Sequence, residues 1–142
     1  TITSDDWHSS KFSARLGDPA YKCSKGVPLG SAWMEQTVLV PCKGSPELSF
    51  SYSITTYDEN DPPSERWDLF DVTINGSQVF SDFPPGDWHG CKDPPKETGW
   101  VSGTVDLTDY MGSCITIRLA NWNRHDTMFN TWTYVDDVRI DP

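Results

Sequence analysis

The chain has 142 residues, which is the size of one ordinary domain with a hydrophobic core of its own. Its 11 basic and 21 acidic residues give a formal net charge of −10, which argues against nucleic acid or an anionic membrane surface as a partner and suits a cation or a neutral ligand. Aromatic residues make up 13% of the chain, and plentiful proline and glycine favour strands and loops over helices. No stretch resembles a membrane span or a signal peptide, so we expect Thr1 to begin a mature or excised domain.

Apolar and polar residues alternate in short runs that are separated by turn-rich stretches, and no helical period persists. This pattern predicts an all-β sandwich that occupies residues 1–142 as a single domain. In chain order, the predicted strands are 8–17, 32–41, 47–57, 67–75, 77–81, 99–107, 114–122 and 131–140.

The last predicted strand carries an acidic residue in an apolar row. Alternation places Trp132 and Tyr134 on the face that is predicted to meet the core, and Asp136 lies in the same row. A carboxylate on a core face is costly unless a cation or several donors meet it. We therefore expect Asp136 to bind a cation, to accept a salt bridge from Arg15 or Arg118, or to cap backbone amides.

The loops are of unequal length, and this predicts where binding occurs. The loops at 42–46, 75–76 and 108–113 are short, whereas those at 18–31, 58–66, 82–98 and 123–130 are long. With antiparallel strands, all the long loops fall at one rim of the sandwich and all the short ones at the other. Long loops on one rim of a rigid scaffold commonly carry the binding site.

The same placement predicts two disulfides. Cys23 and Cys91 lie in long loops, and Cys42 and Cys114 lie at short connections on the opposite rim. Because a disulfide bridges Cα atoms no more than roughly 7 Å apart, we predict the pairs Cys23–Cys91 and Cys42–Cys114. Four cysteines without CxxC spacing favour a disulfide-bonded, secreted protein over a zinc site.

Asn75 has two interpretations. Asn75-Gly76-Ser77 is an N-glycosylation sequon, which makes a glycoprotein possible. The same Asn-Gly pair is typical of a two-residue type I′ hairpin turn. Both hold together, because the tip of a hairpin is exposed.

Several short motifs follow one another along the chain: 8–17 (HSSKFSARLG), 34–41 (MEQTVLVP), 48–52 (LSFSY), 67–72 (WDLFDV), 99–100 (GW), 105–112 (VDLTDYMG) and 134–138 (YVDDV). In their order and spacing they resemble the galactose-binding-like jelly-roll modules, which are similar to the carbohydrate-binding modules and MAM-type domains of secreted prokaryotic proteins. The resemblance covers nearly the whole chain. It implies a two-sheet antiparallel jelly-roll β-sandwich in an extracellular or cell-surface protein.

The resemblance also implies a structural calcium ion where the first and last strands meet. Carried over to this chain, its ligands are Asp5 or Asp6, the backbone carbonyl of Ser10 and the side chain of Asp136. Ser10 replaces the glycine that is usual in the family. Calcium suits such a site because it takes hard oxygen ligands in irregular geometry.

A second carboxylate, Asp68, also shares a face with apolar residues. It predicts either a second calcium ion, held with Asp58, Asp61 or Glu65, or a buried ion pair with Arg124. We favour the ion pair, because acidic loops are most often merely solvated.

Sugar recognition requires an exposed aromatic ring beside planar hydrogen-bonding groups. The predicted rim supplies such residues, namely Trp67, Trp88, Trp122, Asn121, Asn123, Arg124, Asp126 and Asn130. The competing interpretation is that the tryptophans fill the core or fix the long loops.

No pattern in the sequence indicates catalysis. The three histidines lack HExxH spacing, and no GxSxG motif is present, so we expect no enzyme. We expect instead a secreted, calcium-binding module that binds carbohydrate or cell-surface material, with a role in cell adhesion. The alternative is a self-assembling structural subunit of a surface filament or layer, in which residues 1–4 add a strand to another copy.

Overall fold

A computed structural model of the chain describes residues 1–9, 11–23, 26–58, 67–84, 91, 94–124 and 127–142. These residues form two antiparallel sheets, which confirms the predicted all-β sandwich. Helical structure in these ranges is confined to two 3₁₀ turns, at Pro19–Tyr21 and Thr108–Tyr110. Neither they nor any other described segment forms a helix with the length and apolarity to cross a membrane.

The strands of the described residues are, in chain order, β1 (Ile2–Thr3), β2 (Ser13–Leu16), β3 (Gly30–Leu39), β4 (Glu47–Thr56), β5 (Leu69–Ile74), β6 (Ser77–Asp82), β7 (Lys96–Glu97), β8 (Val101–Asp106), β9 (Cys114–Asn123) and β10 (Thr131–Asp141). Sheet A has the order β1-β2-β10-β4, and both β7 and β8 pair with the other edge of β4. Sheet B has the order β3-β9-β5-β6. Apart from the consecutive pairs β1–β2 and β5–β6, neighbours in each sheet are distant in sequence, as in a jelly roll.

The eight predicted strands correspond to β2–β6 and β8–β10. The first differs most, because only Ser13–Leu16 of the predicted range 8–17 pair with a neighbour as strand β2. Residues 4–9, which we call the N-terminal strap, leave the sheet edge and contact the outer face of sheet A. The two-residue strands β1 and β7 are too short for alternation to reveal.

Aromatic rings fill the centre of the space between the sheets. Phe50 and Tyr52 of β4 pack against Phe70 of β5 and Phe80 of β6, with ring centroids 4.9–6.4 Å apart. The Tyr52 hydroxyl donates to Asp82 Oδ2 at 2.6 Å, and burial raises the pKa of this phenol far above its usual range. Aromatic rings thus fill much of the core, because the chain contains few leucines.

Strand β10 reverses the predicted faces. Val135 and Thr133 are buried on the face of β10 that meets the core. Trp132 and Tyr134 lie on the outer face of sheet A, where they form a second apolar cluster with Tyr57. The prediction that the Trp132 row faces the core is therefore wrong, although its members do share one face.

Hydrogen bonds explain why threonines occupy the inner face. The Thr133 hydroxyl donates to Asn121 Oδ1 at 2.9 Å, and Asn121 Nδ2 donates to the carbonyl of Thr131 at 2.8 Å. The hydroxyls of Thr131 and Thr56 lie 2.7 Å apart. This buried network satisfies its polar atoms and joins β9 of sheet B to sheet A. Asn121 is therefore a core residue rather than a ligand-binding one.

One of the two predicted disulfides is present. Cys23 and Cys91 are bonded, with Cα atoms 5.4 Å apart and a separation of 68 positions in the sequence. A bond that closes a loop of this length typically stabilises a domain by about 2–5 kcal/mol.

The predicted pair Cys42–Cys114 is not formed, and both residues are exposed free thiols. They do lie at the same rim, but Cys114 pairs across the sheet with Leu39 rather than with Cys42. Cys42 instead packs beside Gly112, where an added Cβ would lie 3.5 Å from that of Cys42. The two cysteines are therefore not opposite one another.

A thiol count tests this correction. The denatured, unreduced chain should react with two equivalents of a thiol reagent, and with four after reduction. Peptide mapping should then recover the Cys23–Cys91 bond. A chain with no reactive thiol would show that the second predicted disulfide forms after all.

Candidate functional site

A bulge in β10 determines how the strap is held. The register between β10 and β4 shifts between Asp136 and Arg139, and Asp137 has a φ of 53°, in the left-handed region. Beyond the bulge, Ile140 pairs with Leu48 and packs against the core. The bulge therefore places both aspartates beside the strap and then returns the strand to the sheet.

Asp136 is saturated by backbone amides. The amides of His8 and Ser9 donate to Asp136 Oδ2 at 3.1 and 3.2 Å, and the amide of Asp137 donates to Oδ1 at 2.8 Å. Hydrogen bonds from N–H groups to an ionised carboxylate are stronger than those between neutral groups. Amide capping was one of the alternatives for Asp136, and it is the one that the structure adopts.

Asp137 fastens the side chains of the same two strap residues. Nδ1 of His8 lies 2.7 Å from Asp137 Oδ2, and the hydroxyl of Ser9 donates to Asp137 Oδ1. The hydrogen bond from Ser9, followed by that from His8, lowers the pKa of the Asp137 carboxyl. Because the folded-state pKa is lowered, this stabilisation is present above the unfolded-state pKa and is lost as the pH falls through the folded-state value. We call His8, Ser9, Asp136 and Asp137 the strap clasp.

The other strap carboxylates also have partners. Asp5 Oδ2 forms an ion pair with Arg15 Nη1 at 2.6 Å, and Asp6 Oδ1 accepts the indole N–H of Trp100 at 3.2 Å. The rings of Trp100 and His8 lie 5.5 Å apart between centroids. The strap thus connects β2, β10 and the residue before β8 across the outer face of sheet A.

Three of the predicted calcium ligands already have hydrogen-bond or ion-pair partners within the chain. Asp5, Asp6 and Asp136 each accept from an N–H donor of the chain itself. Within the described ranges, no three His, Cys, Asp or Glu side chains are grouped so that they could hold a metal ion. Ser10, the fourth predicted ligand, lies outside the described residues. Calcium at this site remains a prediction that rests on the resemblance alone.

The amide caps of Asp136 should stabilise the strap whether or not the site also takes a metal ion. Replacement of Asp136 by Ala leaves three backbone amides without their acceptor, so the free energy of unfolding should fall by about 1 kcal/mol. Thermal melts of the wild-type chain with EDTA and with added calcium test the calcium prediction in the same experiment. Asp109→Ala, which removes an exposed carboxylate in the 3₁₀ turn at the other rim, is the control for charge.

An EDTA-dependent melt that is abolished in Asp136→Ala would restore the calcium assignment. An unchanged melt in Asp136→Ala would instead show that the amide caps contribute nothing to stability.

The second predicted calcium site is not assembled by the described residues. Asp58 is buried beside the end of β4, and its backbone amide donates to the hydroxyl of Thr56 at 2.8 Å. Asp61 and Glu65 lie outside the described residues. This calcium ion also stays a prediction.

The predicted ion pair between Asp68 and Arg124 is wrong. Asp68 is buried, and its Oδ1 accepts the backbone amide of Arg124 at 2.7 Å. The guanidinium of Arg124 lies instead over the indole of Trp122, with Cζ 4.9 Å from the ring centroid. Backbone capping gives the carboxylate a donor and leaves the Arg124 side chain at the surface.

Three of the four predicted long loops are joined at one rim, and the fourth, at 58–66, lies outside the described residues except for Asp58. The Cys23–Cys91 bond links the loop after β2 to the loop before β7. The amides of Gly26 and Val27 both donate to the carbonyl of Thr127, at 2.9 and 3.0 Å, and so link the loop after β2 to the loop before β10. These bonds hold together the rim that borders a groove on the side of the sandwich.

The groove, which we call the edge groove, lies between the edge strand β3 of sheet B and β2 of sheet A, and its volume is about 340 Å³. This volume is at the small end of the usual range for ligand sites. The side chains that line it and carry polar groups or rings are Thr1, Arg15, Asp18, Tyr21, Ser31, Trp33, Asn123 and Asn130. Aromatic surface and hydrogen-bonding groups therefore meet in one concave site.

Trp33 is the main aromatic surface of the edge groove. It belongs to the outward face of β3, and 52% of its surface is exposed. Cζ of Arg118 lies 4.4 Å from the ring centroid, and Arg118 is itself bound to Glu35 Oε2 through Nε at 2.8 Å and Nη2 at 2.7 Å. The ion pair and the cation–π contact hold the indole in place while it remains open to solvent.

The amides of the edge groove are held by the chain around them. Asn130 is buried, and its Nδ2 donates to the carbonyl of Asp18 at 2.8 Å. Asn123 Oδ1 accepts the amide of Thr131 at 2.8 Å, whereas Asn123 Nδ2 reaches Asn130 Oδ1 only at 3.5 Å. The Nε of Arg15 is buried without a hydrogen-bond partner among the described residues. The Asn123 amide is therefore a group with donor capacity left for a ligand, whereas the buried Arg15 Nε is not accessible to one.

The structure brings together only some of the residues predicted to bind a ligand. Asn123 and Asn130 line the edge groove, while Trp122 and Arg124 lie beside it on the outer face of sheet B. Trp67 is partly buried and does not line the groove. Trp88 and Asp126 lie outside the described residues.

Sequence reasoning missed the two aromatic residues of the groove. Trp33 occupies a polar row of β3 with Ser31, Glu35 and Thr37, so an aromatic residue on a solvent face was visible in the sequence. Tyr21 lies in the 3₁₀ turn after β2, and nothing in the sequence pointed to it.

Asn75 occupies the predicted turn. Its φ is 51° and that of Gly76 is 83°, as a type I′ turn requires. Asn75 is exposed, and its Oδ1 accepts the amide of Thr116 at 2.9 Å, which directs the side-chain nitrogen away from that bond. Glycosylation of Asn75 remains a prediction.

No protein-family model, curated protein or solved structure matches this chain.

Proposed function

We propose that the protein is a non-catalytic, extracellular binding module whose edge groove takes a neutral carbohydrate. The observation that carries this proposal is Trp33, an indole more than half exposed that is fixed at the wall of a groove with amide and guanidinium donors. An indole covers the apolar face of a pyranose, and planar polar groups bind its hydroxyls. The net charge of −10 disfavours an anionic ligand.

The preorganisation of the site supports binding. Trp33 is held by Arg118 and Glu35, and Asn130 is held by the carbonyl of Asp18. Little conformational entropy is therefore lost when a ligand enters, and such sites gain affinity by avoiding that cost.

The arrangement of the strap clasp argues against hydrolysis. His8, Ser9 and Asp137 are residue types of a nucleophilic triad, but the serine and the histidine both bind the aspartate rather than one another. A triad requires the hydroxyl to donate to the imidazole. The Cys23–Cys91 disulfide suits an oxidising, extracellular location.

The self-assembling alternative receives less support. Residues Ile2 and Thr3, which would add a strand to another copy, pair with Ala14 and Ser13 of the same chain. Size-exclusion chromatography separates the two proposals, because a carbohydrate-binding module elutes as a monomer and an assembling subunit as a polymer.

Trp33→Ala should weaken carbohydrate binding at least about tenfold. The lost ring contributes both apolar burial and stacking, each of the order of 1 kcal/mol, and about 1.4 kcal/mol corresponds to a factor of ten. Affinity gels containing soluble neutral polysaccharides of plant, fungal and bacterial origin, together with a glycan array, provide the measurement. Trp7→Ala removes another exposed tryptophan, 48% exposed and outside the groove lining, and is the matched control.

The wild-type chain should be retarded by at least one member of this panel, and Trp7→Ala should behave like wild type. Equal retardation of Trp33→Ala and wild type, or no retardation of wild type by any member, would overturn the proposal. Thermal melts of both variants exclude unfolding as the cause.

A further inference from the structure

The outer face of sheet B continues from the edge groove through Trp33. Ser31 and Trp33 both line the groove, and they pair with Trp122 and Ala120 of β9. Trp33 and Trp122 are therefore diagonal neighbours on one face, about 7–8 Å apart between Cα atoms. Ala120, which is 1% exposed, is the small residue opposite Trp33 in this row. A second indole, that of Trp122, thus lies next to the groove on the outer face of sheet B.

The Trp122 ring, like that of Trp33, is held in place by neighbouring side chains. Its indole N–H donates to Asp71 Oδ1 at 3.2 Å, and the second carboxylate oxygen of Asp71 accepts Gln78 Nε2 at 3.1 Å. The guanidinium of Arg124 covers the ring at 4.9 Å. Each of the two indoles is therefore paired with an arginine.

The two arginines differ in whether a carboxylate pairs with them. Arg118, beside Trp33, forms an ion pair with Glu35. Arg124 is exposed, and the described residues provide it with no carboxylate partner, unlike Arg15, Arg118 and Arg139. Its N–H groups are thus available to hydroxyl groups of a ligand that lies beside the stacked Trp122 and Arg124 side chains.

We propose that the ligand is a linear glycan of several sugar units, which runs from the edge groove across the outer face of sheet B. The groove with Trp33 is one subsite, and Trp122 with Arg124 is the next. A ligand confined to the groove, such as a terminal sugar, would leave the second indole unused. This inference rests on the proposed function, because it names the class of carbohydrate that the same site takes.

A length series tests this arrangement. Fragments of two to eight units are prepared from each polysaccharide that retards the wild-type chain, and their affinities are measured by isothermal titration calorimetry. For the wild-type chain, affinity should rise about tenfold or more between the shortest and the longest fragments. Trp122→Ala should abolish this gain and leave the affinity for the shortest fragment unchanged, whereas Trp33→Ala should weaken binding at every length.

Arg124→Ala is the second variant, because it removes an exposed side chain and leaves the bond between Trp122 and Asp71 intact. It should lose part of the gain with length, while Trp7→Ala should retain all of it. A full gain with length in both Trp122→Ala and Arg124→Ala, or equal wild-type affinity for all lengths, would overturn this inference and leave the proposed function standing. Failure of every glycan in the panel to bind the wild-type chain would overturn both.

Discussion

The bulge in β10 is the constraint on which the rest of the structure depends. β10 lies between β2 and β4 in sheet A, so its faces decide what enters the core and what covers the outside. Before the bulge, Thr133 and Val135 face inward; after it, Ile140 does. The left-handed conformation of Asp137 makes this change of face possible, and it leaves both aspartates beside the strap. One irregular residue therefore sets the core, the second apolar cluster and the course of the N-terminus.

Much of the fold follows from the sequence, because alternation and turn residues act locally. The eight long strands, the Asn75-Gly76 turn and the Cys23–Cys91 bond were all predicted. The faces of β10 were not, because the prediction assumed that large apolar side chains face the core and threonines face solvent. Buried partners such as Asn121 reverse that preference, and they come from a distant strand. A bulge also changes the period in the middle of a strand, so a single alternation cannot describe both halves.

The candidate site was predicted in part for the same reason. The choice of the rim and of Asn123 and Asn130 followed from loop length and residue type. The role of Asp136 did not, because its amide donors, on His8 and Ser9, are more than 120 positions away in the sequence. Trp33 was not predicted because it lies on a strand and not in a long loop, although a tryptophan among polar residues of a strand is itself a signal of a binding surface. The two residues on which the proposal depends most are each held by a neighbour. Arg118 packs over the Trp33 ring, and the carbonyl of Asp18 accepts the Asn130 side chain.

Contact between Trp33 and the ligand can be observed directly. The measurement is a titration of the ¹⁵N-labelled chain with a fragment of a retained polysaccharide, following the side-chain indole signals of its seven tryptophans. The Trp33 indole signal should shift in proportion to saturation, while the signals of Trp100 and Trp132, which pack together on sheet A, should stay in place. Saturable binding that leaves the Trp33 signal unmoved, or that moves only Trp100 and Trp132, would contradict the proposed contact.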